Sequence, residues 1–198
     1  MNPKRSSLFF WGVTGFLLFV TLWLTQQNRQ QLSSNTSAPL LNFSIQSIQS
    51  FTITNFTQGL KFLQNTDGSW SVAPHTTDLQ KKIANTNLED KSGAPQKADR
   101  EKINAYLTKL TLIKLQTPIA TTTKPAEFQI NPNSLQIEFY TATQEHLGTL
   151  FIGKKGLDQT STYVMRAGEA EVYWLPQDIR AEALMPLEYW LDTIKTHD

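Results

Sequence analysis

The run "LFFWGVTGFLLFVTLWL", Leu8 to Leu24, carries no charged residue. With Ser6, Ser7 and Thr25 it makes a stretch of about 20 residues, which as a helix is about 30 Å long, the thickness of a bilayer core. Lys4, Arg5 and the amino terminus precede the run, and Arg29 is the only basic residue close behind it. The positive-inside bias therefore predicts a cytoplasmic N-terminus and a body on the far side of the membrane. Trp11 and Trp23 stand near the two ends of the run, where interfacial aromatics are common. A cleaved secretory signal shares the basic start and the apolar run, but its apolar part spans about 7–15 residues. The following "TQQNRQQLSSNTSAPLL" offers no A-x-A cleavage site. Residues 1–25 are thus expected to be a cytoplasmic start and a retained single-pass anchor in a bacterial inner membrane, with a periplasmic C-terminal domain.

The chain has no cysteine, so a lipid anchor on cysteine, disulfides and thiolate chemistry are excluded, and the domain must be held by its core. The net charge is +1 and the pI about 7.9. That balance, with no basic stripe interleaved with aromatics, predicts no nucleic-acid partner. Tripeptides starting at Asn35, Asn42 and Asn55 fit N-x-[ST] and matter only in a host that glycosylates.

Residues 26–44 read as a polar spacer. The pattern changes at Ile45: "IQSIQSFTITNF" and "GLKFLQ" alternate apolar with polar residues around a turn before Gly59, and Asp67-Gly68 followed by Trp70 and Val72 adds a third antiparallel strand. Residues 75–97 are polar and read as a flexible insertion, weakly helical around Leu79 to Ile83. A helix is predicted from an N-cap at Asp99 to about Leu112, with Ile103, Tyr106, Leu107 and Leu110 on one face and Arg100, Lys102 and Lys109 on the other. After Pro132, Leu135, Ile137 and Phe139 alternate with polar neighbours, and "LGTLFIG", "STYVMRAG" and "AEVYWLP" supply three more strands, separated by Gly153-Lys-Lys-Gly156 and Gly168-Glu169. The C-terminal segment reads as short helices interrupted by Pro186, with Leu184, Leu187, Trp190 and Leu191 packing inward and 193–198 as a tail. The predicted fold of residues 45–192 is α+β: one mainly antiparallel sheet covered by an amphipathic helix.

The order Ile45/Ile48, Asp67-Gly68-x-Trp70, Ala98-Asp99 opening a helix that ends in Leu107 and Leu110, then "PAEF", Leu150-x-Ile152-Gly153, "TYVMR" and "VYWL" resembles the bacterial 4340 domain-of-unknown-function family over residues 45 to 192. Gln129 stands where the resemblance implies a glycine after Phe128. The resemblance implies a membrane-anchored extracytoplasmic domain, in some members associated with ABC-type export or gliding-type transporter subunits, and brings no catalytic residues.

The search for chemistry starts with "EHLGTLFIGKKGLDQ", where Gly148, Gly153 and Lys154 approach the phosphate-binding pattern G-x-x-x-x-G-K-[ST]. Lys155 holds the place of the hydroxyl, and Thr149, Leu150, Phe151 and Ile152 favour a strand over a concave loop, so no nucleotide site is expected. His75, His146 and His197 show no metal-ligand spacing, and no G-x-S-x-G is present; Ser161 is the nearest serine nucleophile and fits a strand start better. Glu89 with Asp90, and Glu169 with Glu171, lie in polar turns. Arg166 shares a strand parity with Thr162 and Val164 and is the one weak ligand or partner contact, set against a salt bridge to a nearby Glu. The expectation is a non-catalytic binding or scaffolding module without cofactor or metal; a tethered cell-envelope hydrolase with an unrecognised site is the alternative.

Overall fold

The computed structural model describes residues 37–76, 93–121, 124–131 and 133–193. The expected anchor Leu8–Leu24, the weak helix around Leu79–Ile83, the pair Glu89 and Asp90, Pro132 and His197 lie outside these residues. Among the described residues no helix is long and apolar enough to cross a membrane.

Alternation makes the strands. β2 (Ser50–Thr54), β3 (Gly59–Gln64) and β4 (Trp70–Pro74) form the expected opening meander, and β8 (Leu135–Tyr140), β9 (His146–Lys155), β10 (Thr162–Arg166) and β11 (Glu171–Leu175) form a second. The two join through antiparallel β2 and β8, where Phe51 faces Phe139 and Ile53 faces Ile137. With β5 (Gln96–Ala98) beside β4 and β7 (Ala120–Thr121) beside β11, the sheet has, among the described residues, nine strands in the order β5-β4-β3-β2-β8-β9-β10-β11-β7.

Register puts the large apolar residues on one face. Phe51 pairs with Phe62 across β2 and β3, their rings stacked at 4.3 Å, and Trp70 meets Phe51 edge-on at 5.7 Å. The helix Arg100–Leu112 covers this face with buried Ile103, Tyr106, Leu107 and Leu110, as the periodicity predicts. Its N-terminus is capped as expected: Asp99 Oδ1 accepts from the N–H groups of Glu101 (3.0 Å) and Lys102 (3.2 Å). Lys102 and Lys109 do not simply face water. They pair with Asp99 at 3.3 Å and Glu182 at 2.7 Å.

The C-terminal segment completes the cover with two short helices, Arg180–Ala183 and Leu187–Trp190, on either side of Pro186. Trp190 packs edge-on against Phe62 and Tyr106, at 5.2 and 5.6 Å. Leu184, expected to pack inward, is 37 % exposed, because it lies at the C-terminal end of a single helical turn at the rim of the domain.

Three boundaries differ from the sequence reading. The domain begins at Ala38, inside the expected spacer: β1 (Ala38–Pro39) pairs with β6 (Lys114–Leu115), and Leu40 and Leu41 are buried in the core. Two leucines and a two-residue bridge are too short to register as a strand against polar surroundings. The expected insertion ends in a strand, since Gln96 and Lys97 belong to β5 and pair with Val72 and Ser71. "QKA" has no alternation of its own; it is held between β4 and the C-terminal chain, where Asp192 N–H donates to Lys97 O and Lys97 pairs with Asp192 at 2.6 Å. Finally, Gly153-Lys-Lys is strand and the turn is Gly156–Ser161, with Gln159 in the left-handed region at φ 60°. Neither Gly153 nor Gly156 has a positive φ; each is required by close approach. A Cβ on Gly153 would lie 2.4 Å from Phe128 O, and one on Gly156 would lie 1.9 Å from Ser161 Oγ.

Candidate functional site

Three connections meet at the end of the sheet where β2 stops and β8 starts, Thr54 being paired there with Gln136. The β2–β3 turn is built by Asn55, whose Oδ1 accepts from Thr57 N–H (2.8 Å), Thr57 Oγ1 (2.9 Å) and Gln58 N–H (2.8 Å). Before β8, Asn131 Oδ1 accepts from Asn133 N–H at 2.8 Å, and Ser134 Oγ donates to Asn131 O at 2.7 Å. The third connection is the turn from Asp178: its Oδ1 accepts from the N–H groups of Arg180 (2.9 Å) and Ala181 (3.0 Å), and its Oδ2 pairs with Lys155 at 2.8 Å. Burial pushes the Asp178 carboxyl up, and hydrogen bonds and charge from Lys155 together with the two N–H groups outweigh it, holding the pKa below the usual carboxylate range.

Between these connections lies a cleft of about 450 Å³, inside the size range of small-ligand sites. Its walls carry the amides of Asn55, Gln129, Asn131 and Asn133 and the hydroxyls of Thr57 and Ser134. Phe56, 53 % exposed, and Leu184 form an apolar part of the rim. Arg180 is the ionisable residue of the lining, half-buried, with Nη1 donating to Gly153 O at 2.8 Å. Gln129 sits in the left-handed region at φ 57° after the 3-10 turn Pro125–Phe128. The glycine implied at this position would take that conformation freely; the turn is kept here with a glutamine in it.

A smaller hollow of about 110 Å³ lies between Leu40–Phe43 and the starts of β9 and of the β10–β11 turn. Arg166 lines it. Its guanidinium forks onto Glu169, Nε to Oε2 at 2.9 Å and Nη2 to Oε1 at 2.8 Å, while Nη1 reaches Pro39 O at 3.5 Å. The pairing uses the Gly168 turn, whose φ of 84° brings position 169 back beside 166.

The remaining polar residues are dispersed. His146 Nε2 shares a 2.9 Å hydrogen bond with Thr149, and its ring lies 5.5 Å from that of Tyr140. Tyr140 OH and Thr52 Oγ1 both donate to Glu138 Oε2 at 3.2 Å. Ser161 Oγ donates to Asp158 Oδ1 at 2.5 Å inside the β9–β10 turn, and Glu171 accepts from Ala170 N–H. Lys154 stands 5.9 Å over the Tyr163 ring; it belongs to a strand and not to a phosphate-cradling loop. His75 N–H donates to Gly59 O. Among the described residues no three His, Cys, Asp or Glu side chains are grouped to hold a metal. The cleft was missed in the sequence because its residues come from segments about 75 and 50 residues apart, and Asn-rich turns look alike whether or not they converge.

Fold and site together define a helix-covered α+β domain, built on one long antiparallel sheet with a two-stranded ladder beside it, that carries a cleft lined by neutral hydrogen-bonding groups and one guanidinium. The chain belongs to the family described as Domain of unknown function (DUF4340), which matches residues 88–194, more than half of its length. The match begins after β4, so the first sheet strands lie ahead of it. No curated protein and no solved structure matches the chain.

Proposed function

We propose that this is a single-pass inner-membrane protein whose periplasmic domain is a non-catalytic binding or scaffolding module, acting beside an ABC-type export or gliding-type transporter complex. The observation that carries the binding reading is the lining of the 450 Å³ cleft. Amides, hydroxyls and a guanidinium recognise a ligand by hydrogen bonds and charge, whereas acid–base or nucleophilic chemistry needs a titratable pair within reach of a bound substrate. The lowered carboxyls of Asp67, Asp99, Asp158 and Asp178 each accept backbone N–H groups at a turn or helix start, which gives them structural work. The uncharged run Leu8–Leu24 behind Lys4 and Arg5 supports the anchor.

Topology is tested with reporters at the C-terminus. A periplasm-dependent phosphatase fusion is expected to be active and a cytoplasm-dependent galactosidase fusion inactive, with the protein staying in the membrane fraction through alkaline carbonate. A soluble product with a new N-terminus after Leu24 would overturn the anchor. Co-purification of the full chain with transporter subunits from detergent-solubilised membranes tests the partner, and recovery of the chain without them would overturn it.

A further inference from the structure

We infer that the cleft at the β2–β8 end binds a short saccharide bearing a carboxylate, with Arg180 holding the acid group and the surrounding amides holding hydroxyls. The inference rests on the binding-module reading and gives that module a ligand class.

Charge is the first argument. Among the described residues, half-buried Lys102, Lys109 and Arg166 each face a carboxylate within 3.3 Å, and Lys154 faces an aromatic ring. Arg180 has a backbone carbonyl instead, and no described carboxylate lies within ion-pair distance of it. The nearest in sequence, Asp178, is turned to backbone N–H groups and to Lys155. The guanidinium brings to the cleft a positive charge that an anionic ligand would complement. The bond to Gly153 O also fixes the side chain before any ligand arrives, which lowers the entropic cost of binding.

The neutral lining is the second argument. Asn55 and Asn131 spend their Oδ1 atoms, and Thr57 and Ser134 their hydroxyl protons, inside the turns, so the lining keeps its amide N–H groups to donate, with the Gln129 and Asn133 amide oxygens and hydroxyl lone pairs to accept, and the matching ligand has donors and acceptors on the same atoms. Sugar hydroxyls do. A peptide would instead use an open strand edge or apolar pockets for its side chains. No edge is offered here, because β2 and β8 are both paired on two sides, and the apolar lining is confined to Phe56, Leu135 and Leu184.

The test is isothermal titration of the full chain in detergent micelles with trigalacturonate, its neutral methyl ester, and the peptide acetyl-trialanine with a free carboxylate. Saturable binding of trigalacturonate is expected, about tenfold weaker for the ester and about tenfold weaker in Arg180→Gln, with each tenfold corresponding to about 1.4 kcal/mol. Asn133→Ala, at an exposed position, is expected to weaken binding with an unchanged melting temperature, which separates loss of contact from loss of fold. Equal binding of acid and ester, affinity unaffected by both variants, binding of the peptide alone, or no saturation by any probe would each overturn the inference. None of these outcomes alters the reporter and fractionation results, so the ligand class and the tethered-module reading fail separately.

Discussion

The two faces of the sheet are made by the same strands and held by different means. On the helix side, Phe51, Phe62, Phe139 and Trp70 interlock with Tyr106, Leu107 and Trp190 in one continuous apolar core. On the other side the central strand shows Ser50, Thr52 and Thr54, all buried, and only Thr52 has a side-chain partner, Glu138. Further along that face, Phe128 leans on Tyr163 at 5.2 Å, and Phe128 O and Ile130 close over Gly153. Buried polar atoms without a partner occur on both sides, Trp70 Nε1, Tyr106 OH and Trp190 Nε1 under the helix and Ser50 Oγ and Thr54 Oγ1 opposite; the helix side offsets them with a large buried apolar area, and the opposite face has a close backbone approach instead. What differs is not strand propensity, which both faces share, but what lies above each.

The largest effect is expected on the helix side. Trp190→Ala, which removes the indole packed on Phe62 and Tyr106, should cost about 3–5 kcal/mol in urea unfolding. A loss under 1 kcal/mol would mean that the C-terminal segment is not part of the core. Gly153→Val tests the opposite face at its tightest point: the Phe128 carbonyl must move, at a cost of about 1–3 kcal/mol. Thr54→Val should reverse the sign. Its buried Oγ1 has no partner, so removing the hydroxyl should stabilise the domain by about 1 kcal/mol, and a destabilised variant would show that the hydroxyl is satisfied. Gln129→Gly should relieve the left-handed residue and raise stability by about 0.5–1 kcal/mol, read as a higher melting temperature.

The smallest effect is in pH dependence. The Ser161 hydroxyl and backbone, with Thr160, hold the Asp158 carboxyl below its ordinary value of 3.8. Its folded pKa being depressed, the stabilisation is present above the unfolded value and lost as pH falls through the folded one. Melting curves taken from pH 6 down to pH 2 should therefore fall less steeply at the acid end in Asp158→Asn than in the unaltered chain. An unchanged acid limb would remove Asp158 from the account.

Much of the fold was legible because periodicity reports local burial. The helix from Asp99, its four inward residues, and the β8 alternation of Leu135, Ile137 and Phe139 all stand where the pattern puts them. Elements without a pattern were not legible. β5 is "QKA", and β1 and β6 are two residues each; they exist because a neighbouring strand offers unpaired backbone groups. The "GKKG" segment misled because glycine has two uses. Here both glycines make room for a neighbour, Gly153 inside the strand and Gly156 at the first position of the turn, without a positive φ at either, and room is a property of whatever sits opposite. Leu184 misled for a related reason: an apolar residue near a chain end can lie at a rim as well as in a core.

The sequence by itself determined the elements and the inward face of each long one, since alternation of 2 and of 3.6 residues is a local consequence of backbone geometry. It also determined the absence of disulfides and the uncharged run of Leu8–Leu24. Only the tertiary structure decided that Asn55, Asn133 and Arg180 border one cleft, that Arg166 is claimed by Glu169 while Arg180 meets a carbonyl, and that the domain starts at Ala38. Those outcomes depend on which distant segments meet, and a pairing across more than a hundred residues leaves no periodic trace in the chain that makes it.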